Sequence, residues 1–303
     1  MGRIRSEVRE AATVGARAVY RTPVPPAVYT HALREARRPL PPGGVQKAHA
    51  IDLEMIDRTR CVWLDRHKAD RGVIVHLHGG AYVSGPFMGD WEWLSGRADA
   101  LDCAGLMVDY RFAPDHQHPV ALDDIEAVLR ALAAGGLLDG RWVLSGQNAG
   151  GGLALTVARR LAEGAVDAPA PAGVIVMAPW LDLANDNARI QETGQRDPYH
   201  EHRMLDAAAA SYAGRTPLGD PDLSPINADL SVLGPLHLTA GTKDVFLTDA
   251  RVLKARLSEQ DVDLRYREIA GRIGSLVRLR RGEDMKRMLD EQTDFLREVL
   301  QGA

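Results

Sequence analysis

The sequence predicts an α/β protein built on one mostly parallel sheet with helices on both faces. Three observations carry that prediction. Eight short apolar runs alternate with amphipathic stretches of helical period, the pattern of strands buried between helical layers. The run from Trp142 to Ser145 passes through Gly146-Gln147-Asn148-Ala149-Gly150 into a helical stretch from Gly152, a strand–turn–helix unit closed by glycines. The first two runs have no helical stretch between them, which predicts an antiparallel start to the sheet.

Taken in order, residues 1–45 read as helical and then Pro-rich, with Thr22-Pro23-Val24-Pro25-Pro26 and Arg38-Pro39-Leu40-Pro41-Pro42, a segment set apart from a core over 46–303. The strand-like runs are Ala50–Ile56, Arg60–Leu64, Val73–His78, Gly105–Tyr110, Trp142–Ser145, Val174–Ala178, Leu236–Ala240 and Leu264–Glu268. A polar insertion over about 184–216 interrupts the alternation and holds one helical stretch, His202–Tyr212. No repeat or low-complexity tract is present.

At 303 residues with 45% hydrophobic content, the chain can bury a large core. A net charge of -4 gives no bulk argument for nucleic acid or an anionic membrane. The charged N-terminal stretch has no apolar secretory region, and no run approaches the length of a membrane span, so a cytoplasmic protein is expected. Cys61 and Cys103 show neither metal-ligand spacing nor a disulfide framework, and read as buried thiols. The glycines at 146 and 150–152 lack dinucleotide-binding spacing, so no cofactor and no metal are expected.

Asn148 is the most informative residue. It occupies the tip of a turn whose flanking Gly146 and Gly150 match a nucleophile elbow. Such a tip holds positive φ, which Asn tolerates. Its amide, however, is no nucleophile near neutral pH. Upstream, His78-Gly79-Gly80-Ala81-Tyr82 directly follows a strand, where paired glycines let N–H groups approach an oxygen. Downstream, Asp244 follows a strand where a catalytic acid would sit. The order of hole, elbow and acid is that of an α/β hydrolase.

On these motifs the chain resembles the hormone-sensitive-lipase group of α/β hydrolases, close to its bacterial esterases and lactone hydrolases. The resemblance runs from about residue 50 to the C-terminus. It rests on the motifs above together with Asp109-Tyr110-Arg111-Phe112-Ala113-Pro114, Pro119-Val120-Ala121-Leu122-Asp123-Asp124, Pro179-Trp180-Leu181-Asp182, Ser224-Pro225-Ile226 and Gly241-Thr242-Lys243-Asp244. It implies the α/β-hydrolase fold with a helical cap, formed by residues 1–45 and by a second segment at about 184–216. It also implies an oxyanion hole from Gly79, Gly80 and Ala149. Family members often dimerise, so the resemblance leaves a homodimer open.

Two departures bear on function. The family elbow is Gly-Asp-Ser-Ala-Gly-Gly, and here Gln147 and Asn148 replace Asp and Ser. The family carries Gly-x-x-His before its last helix, and here Gly271-Arg272-Ile273-Gly274 stands there, so the histidine aligns with Gly274. Of the triad only Asp244 remains, and the acyl-enzyme route loses both nucleophile and base. Three functions follow as expectations. The first is a non-hydrolytic enzyme that polarises a small apolar carbonyl or polyketide-like compound for enolisation, cyclisation or elimination. Asp244 and Asn148 would be its catalytic residues, and Tyr82, Trp91, His200, His202 and Gly274 would line the substrate. The second is a silent ligand-binding pseudo-hydrolase. The third is a weak residual esterase that uses water directly.

Overall fold

A computed structural model describes residues 26–139, 141–185, 202–271 and 282–302; for residues 26, 27 and 29 it describes the backbone alone. The eight strands are β1 (Ile51–Ile56), β2 (Thr59–Leu64), β3 (Val73–Leu77), β4 (Ala104–Asp109), β5 (Trp142–Gln147), β6 (Gly173–Met177), β7 (Leu236–Gly241) and β8 (Leu264–Ile269). Each falls on one of the apolar runs read from the sequence. They form one sheet in the order β1-β2-β4-β3-β5-β6-β7-β8. β1 and β2 pair antiparallel, as the missing helix requires, and β2 also runs antiparallel to β4. From β4 to β8 every pairing is parallel.

The described helices are α1 (Pro26–Ala36), α2 (Gly43–Ala48), α3 (Met88–Leu101), α4 (Val120–Ala134), α5 (Ala149–Ala162), α6 (His202–Ala213), α7 (Leu247–Glu259) and α8 (Glu283–Gln301). Alternate residues of each strand feed two cores, because side chains point to opposite faces with a period of two. Val73, Val75 and Leu77 pack with α4, α5 and α7, while Ile74 packs with α3 and α8. A boundary between cap and core at residue 45 falls inside α2, whose Val45 is buried in the α3–α8 core.

The chain leaves β3 outward to β4 and then crosses back to β5 on the other side of β3. Loops leaving the C-terminal ends of β3 and β5 therefore diverge around a crevice, the place where open α/β sheets bind ligands. The His78–Tyr82 loop and the Asn148 turn are those two loops. Helix α6, in the segment expected to form part of a cap, lies against α1.

Four of the motifs turn out to be joined in pairs around this crevice. The Tyr110 hydroxyl donates to the His78 carbonyl (2.7 Å), and the Arg111 N–H donates to buried Asp124 on α4 (2.9 Å). The Leu183 N–H donates to Ser224 Oγ (2.7 Å) and the Ile226 N–H to the Leu181 carbonyl (3.1 Å), which fastens the loop after β6 to the segment before β7.

Candidate functional site

β5 ends at Gln147, and Asn148 takes φ 49° and ψ -112° before α5 begins at Ala149. The turn is tight enough that strand and helix touch. A methyl group on Gly146 would lie 2.1 Å from the Gly150 carbonyl oxygen, and one on Gly150 would lie 2.1 Å from that of Leu77. The paired glycines are thus a contact requirement, and the turn has the backbone of a nucleophile elbow.

The Asn148 side chain is nine-tenths buried and fixed at one end. Its Nδ2 donates to the Ala178 carbonyl (3.0 Å). That acceptor is itself held, since the Ala178 N–H donates to the Thr239 carbonyl of β7 (2.7 Å). The other end faces the oxyanion loop: a methyl group on Gly79 would come to 3.4 Å from Asn148 Oδ1. The backbone carbonyl of Asn148 accepts from the Gly151, Gly152 and Trp180 N–H groups, which locks the turn to both α5 and the loop after β6.

Of the three N–H groups expected to form an oxyanion hole, that of Gly79 is already engaged: it donates to Oδ1 of buried Asp90 (3.2 Å). Among the described residues, the Gly80 and Ala149 N–H groups donate to no one. The Ala149 N–H also lies in the first turn of α5, where unpaired donors and the helix dipole favour an oxygen bearing negative charge. Gly80, at φ 129°, brings its backbone so close to Ser84 that a methyl group there would sit 2.0 Å from the Ser84 carbonyl.

Asp90 is the position beside the crevice that sequence reasoning missed. Its carboxylate takes the Gly79 N–H, the Phe87 N–H (2.8 Å) and a contact with His76 Nε2 (3.4 Å). Burial pushes its pKa up, but the His76 hydrogen bond and the nearby His76 and His78 rings outweigh that and hold it below the usual range. His76 Nδ1 in turn meets Ser145 Oγ at 2.8 Å. This serine–histidine–aspartate line is wholly enclosed, and Ser145 also donates to the Val75 carbonyl. It faces the α3–α8 core and holds the oxyanion loop from beneath. The available signal was the spacing of Phe87 and Asp90, in which an acid at the third helical position reaches back to the residue before the helix.

Asp244 is fully buried just beyond β7, and its Oδ1 accepts the Phe246 N–H (2.8 Å). Phe246 stacks on Trp180, with ring centroids 5.6 Å apart, and the Trp180 N–H reaches the Asn148 carbonyl (2.9 Å). Acid loop and elbow are thereby joined through one aromatic contact.

The expected lining residues divide. Tyr82 is buried beside the site, stacked on Tyr212 of α6 at 4.1 Å, and its hydroxyl lies 2.9 Å from where a methyl group on Gly152 would be. It joins the loop after β3, α6 and the start of α5. Trp91 is corrected: it is fully buried in the α3–α8 core with Ile74 and Met107, and its Nε1 donates to the Arg38 carbonyl (2.7 Å). It reaches no crevice, because Trp91, Leu94 and Ala98 form the inward stripe of α3. His202 opens α6 half-buried, and its Nε2 has no partner among the described residues. His200 and Gly274 lie outside the described residues, as do Arg272 and Ser275.

A mostly parallel sheet with a glycine loop after β3, an elbow-like turn after β5 and a buried aspartate after β7 defines the α/β-hydrolase fold. The family described as alpha/beta hydrolase fold matches residues 74–276. The chain belongs to that family, in its hormone-sensitive-lipase-like group. It is similar to LipR of Mycobacterium tuberculosis, with 33% identity over 205 residues, 68% of this chain and 66% of that one. It is also similar to an acetyl-hydrolase of Streptomyces hygroscopicus, with 30% identity over 203 residues, 67% of each chain. The chain thus spans about two thirds of the length of these relatives. A solved esterase from the bacterial hormone-sensitive lipase family superposes with a TM-score of 0.80 at 26% identity, over 96% of this chain and 97% of that one. No helix among the described residues is long and apolar enough to cross a membrane.

Proposed function

We propose that this chain binds a small, largely apolar carbonyl compound in the crevice and polarises its oxygen, without forming an acyl-enzyme. The observation that carries this reading is Asn148: an elbow with its donors in place presents a pinned amide where the esterase-like relatives' resemblance calls for a serine. Two N–H groups, of Gly80 and Ala149, are available to a carbonyl oxygen. Electron density drawn toward them acidifies the neighbouring C–H, and the enolate oxygen that forms gains most from the donors. Asp244 is the group we assign to accept and return the proton, which makes enolisation, elimination or cyclisation the reaction class.

The test pairs two readouts on one preparation. The first follows hydrolysis of p-nitrophenyl butyrate. The second follows exchange of α-protons of a small ketone in D2O by NMR. We expect no saturable hydrolysis, together with exchange that falls by about 10²-fold or more in Asp244→Asn. Saturable hydrolysis lost in Asn148→Gly would overturn the reading. Tight ketone binding without exchange would leave a binding protein in place of an enzyme.

A further inference from the structure

We infer that the preferred ligand carries a hydrogen-bond donor next to its carbonyl, as a carboxamide or lactam does, and that Asn148 Oδ1 selects for it. The inference rests on the reading of the crevice as a carbonyl site and adds the class of carbonyl.

The orientation of the amide is set by its surroundings. Nδ2 faces the Ala178 carbonyl at 3.0 Å, and the flipped amide would set two carbonyl oxygens against each other. Ala178 cannot drift to relieve this, because its own N–H is bonded to Thr239 in the neighbouring strand. Oδ1 is therefore the end turned toward the Gly79 turn. Asn148 is only 8% exposed, and no donor among the described residues reaches Oδ1.

Oδ1 is not among the fully enclosed polar atoms, so solvent reaches it in the free crevice; a ligand that displaces that solvent without supplying a donor leaves the acceptor unmatched, whereas one that supplies the donor does not. The site then offers two N–H donors, from Gly80 and Ala149, and one acceptor, Oδ1. The complement is a group with an acceptor oxygen and an adjacent N–H. Esters and ketones satisfy the donors and leave Oδ1 unmatched. A serine hydroxyl at this position would serve either kind of ligand, since it both donates and accepts; the pinned amide cannot.

The test compares hexanamide, 2-heptanone and methyl hexanoate, which share one alkyl tail and differ in the group beside the carbonyl. Affinities are measured by ligand-observed NMR titration of the full chain and of Asn148→Gly, which keeps the positive φ and removes the acceptor. Asn148→Ala serves as a second variant, and thermal unfolding by circular dichroism checks that both are folded. Hexanamide is expected to bind the wild type about tenfold tighter than 2-heptanone, the discrimination one unmatched buried acceptor provides. That preference should vanish in the folded variants, with ketone affinity kept. Equal affinities in wild type and variant would overturn the inference while leaving the carbonyl site standing. Failure of all three compounds to bind would overturn both.

Discussion

Position 148 answers two demands, one from the backbone and one from the chemistry of the site. Positive φ restricts the choice to glycine, asparagine and a few others, and asparagine adds an amide that links the turn to the strand beyond. The flanking glycines answer a stricter demand. Neither Gly146 nor Gly150 has positive φ, so only space excludes a side chain there. Gly150→Ala drives a methyl group onto the Leu77 and His78 carbonyls, at 2.1 and 2.4 Å, and backbone cannot yield as a side-chain tip does. We expect a loss of about 3 kcal/mol, the upper end for overpacking, read by urea unfolding. Gly164→Ala is the contrast. Unlike Gly150, it gives up a favourable glycine conformation at φ 72°, but a methyl group there meets nothing within 4 Å. About 1 kcal/mol is expected there, so similar losses at both sites would contradict the packing argument.

Among the elements, the stretch from Leu33 to Arg38 acts as a strap across the oxyanion loop. The Leu33 carbonyl accepts from Ser84 Oγ (2.7 Å), the Arg38 N–H donates to the Pro86 carbonyl (2.7 Å), and Arg37 Nε donates to that of Gly85 (2.5 Å). Arg37 also holds both oxygens of buried Asp109 at 2.6 Å, with Arg60 as a second cation on the same carboxylate. Part of this was legible in the sequence and part was not. The Pro-rich composition marked a connecting segment, and the Asp109-Tyr110-Arg111 motif marked a loop that matters. Nothing local tied the two together, because a pairing across 72 residues depends on how the sheet places β4 against the N-terminal segment. The Asp90–Gly79 bond spans only 11 residues and was overlooked although the Phe87–Asp90 spacing was a local signal for it. The position of Trp91 was likewise written in the helical spacing of 91, 94 and 98, and was obscured by its closeness in sequence to the oxyanion loop. Arg37→Ala removes one of two cations from an enclosed carboxylate and one anchor of the loop, the bond to the Gly85 carbonyl. A destabilisation of about 2 kcal/mol is expected by urea unfolding. Faster amide hydrogen exchange should be confined to residues 83–86, and exchange that rises evenly across the chain would show that the strap does not act on the loop.

For the molecule as a whole, the strand order follows from composition and alternation, and its consequence for stability lies in the polar residues the sheet encloses. The six inner strands were legible as largely apolar, largely buried runs, as double-sided burial demands, and the edge strands β1 and β8 as runs in which apolar and charged residues alternate. What a run cannot show is the cost of the histidine inside it. His237 on β7 is buried against Phe295, and burial, aided by the Arg265 charge, lowers its pKa to about 4 from 6.5. His78 is fully buried and shifted the same way by desolvation, stacked on Tyr110 at 4.2 Å. Both fold as neutral rings, whereas the unfolded chain binds their protons below pH 6.5. Their contribution is therefore present above that pH and is lost as pH falls, through about pH 4 in the case of His237. Within that window each costs about 1.4 kcal/mol per pH unit. Asp65 extends the trend to lower pH. Burial alone would raise its carboxyl, but hydrogen bonds from His49, the Ala50 N–H and Lys68 outweigh that and bring it to about 2, so its contribution fades only below pH 4. Urea unfolding between pH 6 and 4.5 should thus show stability falling steadily with pH. In His237→Leu the slope over that range should flatten by about 1.4 kcal/mol per unit, whatever the variant's absolute stability. An unchanged slope would mean that His237 already exchanges its proton in the folded chain, and the enclosed sheet would not be the source of the acid sensitivity.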